Sequence, residues 1–97
     1  RPKIACLGLT FKPDIDDLRE SKALKVAETL LRDGFEVIAI EPNINTHKSL
    51  PLWKLSEAIG NSDIICILVK HKEFLQPEVK EKLKLYGALD FCGALYR

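Results

Sequence analysis

The chain has 97 residues, 46% hydrophobic and 30% charged, with a formal net charge of +1. That length predicts one domain with a modest core, and the near balance of charge argues against a nucleic-acid or membrane surface. No apolar run approaches the roughly 20 residues of a membrane span and no signal peptide is evident, so an intracellular, cytoplasmic domain is expected.

KIACL, residues 3–7, is a short apolar run ended by Gly8 and reads as a buried strand. From Ser21 the apolar residues Ala23, Leu24, Val26, Ala27, Leu30 and Leu31 recur at helical spacing. Ser21 is the expected N-cap and Gly34 the expected stop. FEVIAI (35–40) is β-branched and predicts a second strand, ended by Glu41 and Pro42. Residues 43–53 read as a polar loop with an apolar tail, and KLSEAIGN (54–61) as a short helix. DIICILV (63–69) is the most hydrophobic strand and belongs at the sheet centre. KHKEFLQ reads as a loop. Pro77 opens a helix over PEVKEKLKLY, where its missing N–H does little harm, and Gly87 stops it. ALDF (88–91) is a last short strand.

This β-α-β-α-β-α-β order predicts an α/β fold: a small Rossmann-like parallel sheet of about four strands, with helices on both faces. Right-handed crossovers leave the strand order 2-1-3-4. Such sheets bind ligands beyond the C-terminal strand ends, where strands 1 and 3 part company. GLTFKPDIDDLRES (8–21) follows strand 1 at that place, and HKEF follows strand 3.

The loop lacks G-x-G-x-x-G, so it is not a dinucleotide pyrophosphate turn. Lys12 offers a mobile point charge, and Arg19 a guanidinium able to bond a phosphate or carboxylate twice. Phe11 offers a ring to stack on or cover a ligand. The following helix directs free N–H groups toward the loop, which favours an anion. The competing reading is internal: Asp14, Asp16, Asp17 and Glu20 neutralise Lys12 and Arg19, with Asp17 capping the helix. D-x-D-D lacks the glycine and distal glutamate of a calcium loop, and no metal is expected.

Elsewhere the plainer readings are preferred. Glu41 stands where a Rossmann domain keeps its ribose acid, but without the glycine fingerprint it reads as a solvated strand end. His71 reads as a loop-holding hydrogen-bonder, and no acid partner for His47 or His71 is fixed by spacing. Trp53 reads as a packing residue under its loop, and KEKLK as a solvated face. Cys6 and Cys66 read as buried small hydrophobes and Cys92 as exposed. Their spacing suits neither disulfides nor zinc.

At this point the wording carries a resemblance. FKPDIDDLRES, Glu41 to Ile44 (EPNI), HKEF at 71–74 and the D-x-x-G of Asp90 to Gly93 resemble the C-terminal domain of the UDP-glucose/GDP-mannose dehydrogenase family. The similarity covers the whole chain. FKPDIDDLRES and EPNI are closest to the UDP-N-acetyl-D-mannosamine branch, with the UDP-glucose branch as the alternative. The resemblance implies a fragment of a longer enzyme, in keeping with a chain that opens on Arg1 and enters a strand almost at once.

In such enzymes C6 of a nucleotide sugar is oxidised to a carboxylate with two NAD, through a thiohemiacetal on a cysteine. That cysteine lies upstream of this domain, so no catalytic residue is expected here. The resemblance implies that Phe11 and Lys12 contact the UDP-sugar, that Arg19 reaches NAD across a cleft, and that Asp16, Asp17 and Glu20 orient the two cations. It implies as partners the NAD-binding and central helical domains of the same chain, and a homo-oligomeric full-length enzyme. Two departures stand out: Cys92 occupies a position that is often basic, a contact then lost or supplied by Arg97, and Lys22 replaces a helix-opening proline. The rival from another class is a stand-alone nucleotide-binding or interaction module. A receiver-like domain is set aside because VKHK stands where a phosphorylatable aspartate is needed.

Overall fold

The computed structural model describes residues 2–96. In order it contains β1 (Lys3–Leu7), α1 (Lys22–Arg32), β2 (Glu36–Ile40), α2 (Leu55–Asn61), β3 (Ile64–Ile67), a 3-10 helix (Lys72–Leu75), α3 (Pro77–Leu85) and β4 (Leu89–Asp90). The four strands form one sheet in the order β2-β1-β3-β4. All three pairings are parallel, and Leu7 lies between Ile40 and Ile67. The expected topology is therefore present. β3 is interior, yet β1 is the more deeply buried strand: only Lys3 of β1 is exposed, whereas Ile64 opens β3 at the surface.

Alternation along the strands divides the core between two faces. Ala5, Leu7, Ile38, Ile40, Ile65 and Ile67 pack with Ala58 and Ile59 of α2, Leu83 of α3 and Phe74. Ile4, Cys6, Val37 and Ala39 pack with Ala27 of α1, Leu9 and Leu50. Both sheet faces are thus covered, which is why the interior strands read as continuous apolar runs.

The helix signals act as read, with small shifts in extent. Ser21 caps α1 by accepting the Leu24 N–H at 3.1 Å; Asp17 plays no part in that cap. Gly34 (φ 92°) and Gly87 (φ 70°) turn the chain after α1 and α3. Pro77 starts α3. β3 ends at Ile67 and β4 at Asp90, short of their apolar runs, although the Val69 N–H still donates to the Leu7 carbonyl at 3.2 Å and the Phe91 N–H to the Ile67 carbonyl at 3.1 Å. The segment read as the KHKEFLQ loop folds its middle into the 3-10 helix. Residues 51–53 also gain structure: Leu52 makes a parallel bridge to Ala39, and the Trp53 N–H donates to the Ala39 carbonyl at 2.8 Å. This short segment covers the outer edge of β2. β4, two residues long, forms the other edge.

Gly8 is the position where backbone freedom decides the architecture. Its φ is 96°, and a Cβ there would lie 2.5 Å from the Val69 Cβ. Only glycine lets the chain leave β1 this close to the segment after β3.

Candidate functional site: the loop between β1 and α1 and its buried support

The loop divides into a fixed base and an exposed crest. At the base, Leu9 and Thr10 are fully buried. Ser21 donates its hydroxyl to the Leu9 carbonyl at 2.6 Å while capping α1, so one side chain ties loop entry to helix start. The Phe11 N–H donates to the Asp17 carbonyl at 2.8 Å and closes the crest as a ring of backbone.

Under the base lies a polar cluster contributed by three strand ends. Glu41, one residue past β2, is buried. Its Oε1 accepts the Leu9 N–H at 2.8 Å, and its Oε2 accepts the Asn43 N–H at 2.9 Å. His71, after β3, has no exposed surface. Its Nε2 lies 2.8 Å from Glu41 Oε1 and 3.2 Å from Thr10 Oγ1. The Asp14 N–H donates to His71 Nδ1 at 2.8 Å, which makes Nδ1 the acceptor and leaves the ring proton on Nε2 for Glu41. Thr10 donates its own hydroxyl to the Lys12 carbonyl at 2.8 Å.

Burial alone would raise the Glu41 carboxyl. The hydrogen bonds from His71, the Leu9 amide and the Asn43 amide outweigh it and hold the group below the usual carboxylate range. Glu41 is therefore not the solvated strand end expected from the sequence. A buried acid with its bonds filled is structural, and it has no lone pair directed at a ribose. His71 holds loops, as expected, and its acid partner is Glu41.

Asp14 anchors the crest from the other side. Its backbone is left-handed, φ 62°, and its Oδ1 accepts the Lys72 N–H at 2.8 Å. A non-glycine residue in that region costs about 1 kcal/mol and persists where its surroundings fix it. Here two hydrogen bonds do so.

The crest itself is exposed. Phe11 is 51% accessible, above a groove of about 280 Å³ lined by Thr10, Glu20, Lys22 and Val69. The Lys12 ammonium lies 5.6 Å from the Phe11 ring centroid, within cation–π range. Among the described residues Lys12 makes no ion pair. Arg19 differs: its Nε and Nη2 bond the two carboxylate oxygens of Asp17 at 3.1 and 3.0 Å. That bond lowers the Asp17 carboxyl and raises the Arg19 guanidinium. The Arg19 side chain is nonetheless 89% accessible, so the pair fixes its direction and leaves its far edge open. The internal-pairing reading therefore holds for Arg19 and fails for Lys12. Of the three acids expected to orient the cations, Asp17 alone does so; Asp16 and Glu20 pair with neither among the described residues.

Beyond the end of β2 a groove of about 610 Å³ is walled by Ile44, Leu52, Trp53 and Phe74. Trp53 is 39% exposed and forms a wall, whereas Leu50 is the residue packed beneath the loop. At the far side, the Asp90 carboxylate accepts the N–H groups of Cys92, Ala94 and Leu95 at 3.2, 2.9 and 2.9 Å. Burial would raise that carboxyl, and the amides together hold it down. Cys92 is half-buried instead of exposed: its thiol lies 3.7 Å from Asp90 Oδ1 and packs against the core. Burial first, then Asp90, push that thiol up to about 11. Cys6 is pushed to about 12, chiefly by burial and then by Cys66, and Cys66 is raised by burial. Such thiols stay protonated and poorly nucleophilic at neutral pH. Arg97, the suggested substitute cation, lies outside the described residues.

The same geometry tests the site for a dinucleotide. The first βα turn has one glycine, packed against Val69, and its buried positions are filled by Leu9 and Thr10. With Glu41 also spent, these residues do not fit a bound NAD.

Thr10, Asp14 and the Glu41–His71 pair were missed by sequence reasoning. A signal existed: in a 2-1-3 order, the residues just past β2 and β3 flank those just past β1, so an acid at 41 and a histidine at 71 face Thr10 from either side.

Comparison with known proteins places the sequence and the fold. The sequence profile of the UDP-glucose/GDP-mannose dehydrogenase family, UDP binding domain, matches residues 5–95. The UDP-N-acetyl-D-mannosamine dehydrogenase of Campylobacter jejuni is 45% identical over 83 residues, covering 77% of this chain and 20% of that protein. Its counterpart in Escherichia coli K12 is 45% identical over 78 residues, covering 74% and 19%. The chain thus spans about a fifth of these relatives' length. Among solved structures, a UDP-D-ManNAc dehydrogenase from Pyrococcus horikoshii superposes with TM-score 0.66 at 33% identity, over 86% of this chain and 19% of that one. A GDP-mannose dehydrogenase from Pseudomonas aeruginosa superposes with TM-score 0.75 at 24% identity, over the whole of this chain and 26% of that one, a likeness of fold. The match from residue 5 to residue 95, with the crest and strand ends inside it, establishes that this chain belongs to the UDP-glucose/GDP-mannose dehydrogenase family as its UDP binding domain.

Proposed function

We propose that this chain is the C-terminal nucleotide-sugar-binding domain of an NAD-dependent UDP-N-acetyl-D-mannosamine 6-dehydrogenase, a longer cytoplasmic and homo-oligomeric enzyme. The carrying observation is Lys12: an ammonium with no ion pair among the described residues, beside a half-exposed ring, on a loop whose Asp14 and Asp17 carboxylates are already engaged elsewhere. In this reading Phe11 covers the nucleotide and Lys12 meets the diphosphate or sugar as a point charge. Arg19, directed by Asp17, reaches NAD held by the NAD-binding domain of the longer enzyme. Oxidation at C6 uses a cysteine and NAD outside this chain. The choice of N-acetylmannosamine is supported by the curated relatives of that name at 45% identity.

The test has two parts. Amide NMR of the chain titrated with UDP-N-acetylmannosamine is expected to shift residues 8–21 and 70–74, with no effect of NAD at equal concentration. The chain alone is expected to reduce no NAD. In the full-length enzyme, turnover on UDP-N-acetylmannosamine is expected to exceed that on UDP-glucose, and the reverse order moves the assignment to the UDP-glucose branch.

A further inference from the structure

We propose that His71 is a positioning residue for Lys12: held by Glu41, it sets the shape of the Thr10–Asp14 turn and hence where the Lys12 ammonium meets the nucleotide sugar. This rests on the reading that Lys12 contacts that ligand.

His71 is buried completely, and both its nitrogens are used. A core of this size gains no packing from a polar ring that a phenylalanine would not supply, so its bonds explain its presence. Those bonds converge on one short segment. Nε2 reaches Thr10 Oγ1, and Thr10 in turn binds the Lys12 carbonyl. Nδ1 takes the Asp14 N–H, and Asp14 is the residue held in the left-handed region. Lys12 is therefore bracketed by two anchors that end on the same imidazole. Its own side chain has no acid to direct it, so its placement follows from the backbone that carries it.

Glu41 completes the device. Its Oε1 accepts from Nε2 and so keeps Nδ1 free as the acceptor that Asp14 needs. With the other tautomer, Nδ1–H would face the Asp14 N–H, donor against donor, and the turn would open. Asn43 adds a second contact at Nδ1, 3.3 Å away.

The experiment compares the wild-type chain with His71→Phe, His71→Asn and Thr10→Val by amide NMR, first without ligand and then titrated with UDP. Imidazole ¹⁵N spectra of the wild type are expected to show a protonated Nε2 and a bare Nδ1. His71→Phe is expected to keep the core resonances, to move the Lys12 and Asp14 amides and to weaken UDP binding about tenfold. His71→Asn returns an acceptor near the Nδ1 position and is expected to recover the Asp14 amide and most of the affinity. Should His71→Phe fail to fold, Thr10→Val decides, since it cuts the link to Lys12 and leaves His71 in place; it is expected to move the Lys12 amide and weaken UDP. Unmoved Lys12 and Asp14 amides in a folded variant, or wild-type affinity in His71→Phe or Thr10→Val, overturn the proposal. A wild-type chain that ignores UDP defeats the ligand assignment instead, and the ligand-free amides then still decide whether His71 shapes the turn.

Discussion

The two halves of the loop between β1 and α1 are built in opposite ways. Its base, Gly8 to Thr10 with Ser21, is buried and has its polar groups paired with Glu41, His71 and the cap of α1. Its crest, Phe11 to Glu20, is mostly exposed and holds a cation with no internal partner. The contrast teaches that charge density in a loop says little about which charges are available. Asp14 and Asp17 have structural duties, and Lys12 is left over.

The sharpest way to break the contrast is to empty the base. Glu41→Ala strands the Leu9 and Asn43 amides and takes from the His71 Nε2–H its nearer acceptor, and is expected to destabilise the chain by about 3–5 kcal/mol, at about 1–3 kcal/mol for each buried donor left unpaired. Urea denaturation measures it. Gly8→Ala is expected to cost about 3 kcal/mol, combining a strained positive φ with overlap on Val69; its thermal midpoint is the readout. Ser21→Ala removes a cap and a bond to Leu9, and about 1–2 kcal/mol is expected from the same denaturation curves.

Acid makes a related cut without mutation. Glu41 and Asp90 have folded-state values below their unfolded ones of about 4.3 and 3.9. The unfolded chain therefore binds more protons in that window. Their contribution is fully present above those unfolded values and is lost as pH falls through the folded ones. Stability measured against pH is expected to fall on the acid side, and Glu41→Gln is expected to flatten part of that slope.

The smallest effect belongs to the crest. Lys12→Ala is expected to change stability by less than about 0.5 kcal/mol, as surface substitutions do, while UDP-sugar binding weakens. A Lys12 variant as unstable as Ser21→Ala would erase the distinction between crest and base.

Much of the fold was legible because its signals are local. Ser21, Gly34, Pro77 and Gly87 mark helix ends by their own chemistry, and β-branched runs mark strands. The 2-1-3-4 order followed from alternation and handedness. The strand ends were less legible, since the apolar pattern runs on through Val69 and Phe91, past the last strand residues Ile67 and Asp90. In the site, Phe11, Lys12 and Arg19 were found through their chemistry. Glu41 was misread because its surroundings come from residues about 30 positions away: nothing beside it in sequence shows that Leu9 and His71 will close over it. Cys92 was misread for a similar reason, since Asp90 gathers the following turn and draws the thiol inward.

The two edges of the sheet bear on how the domain meets the rest of any larger assembly. On one side Leu52 already occupies the outer face of β2; on the other β4 offers two residues. Neither edge presents the long row of open amides and carbonyls that recruits another strand. Contacts with neighbouring domains or subunits must then be made through side chains and loops. A domain joined in that way can rotate against its neighbours without breaking a backbone ladder.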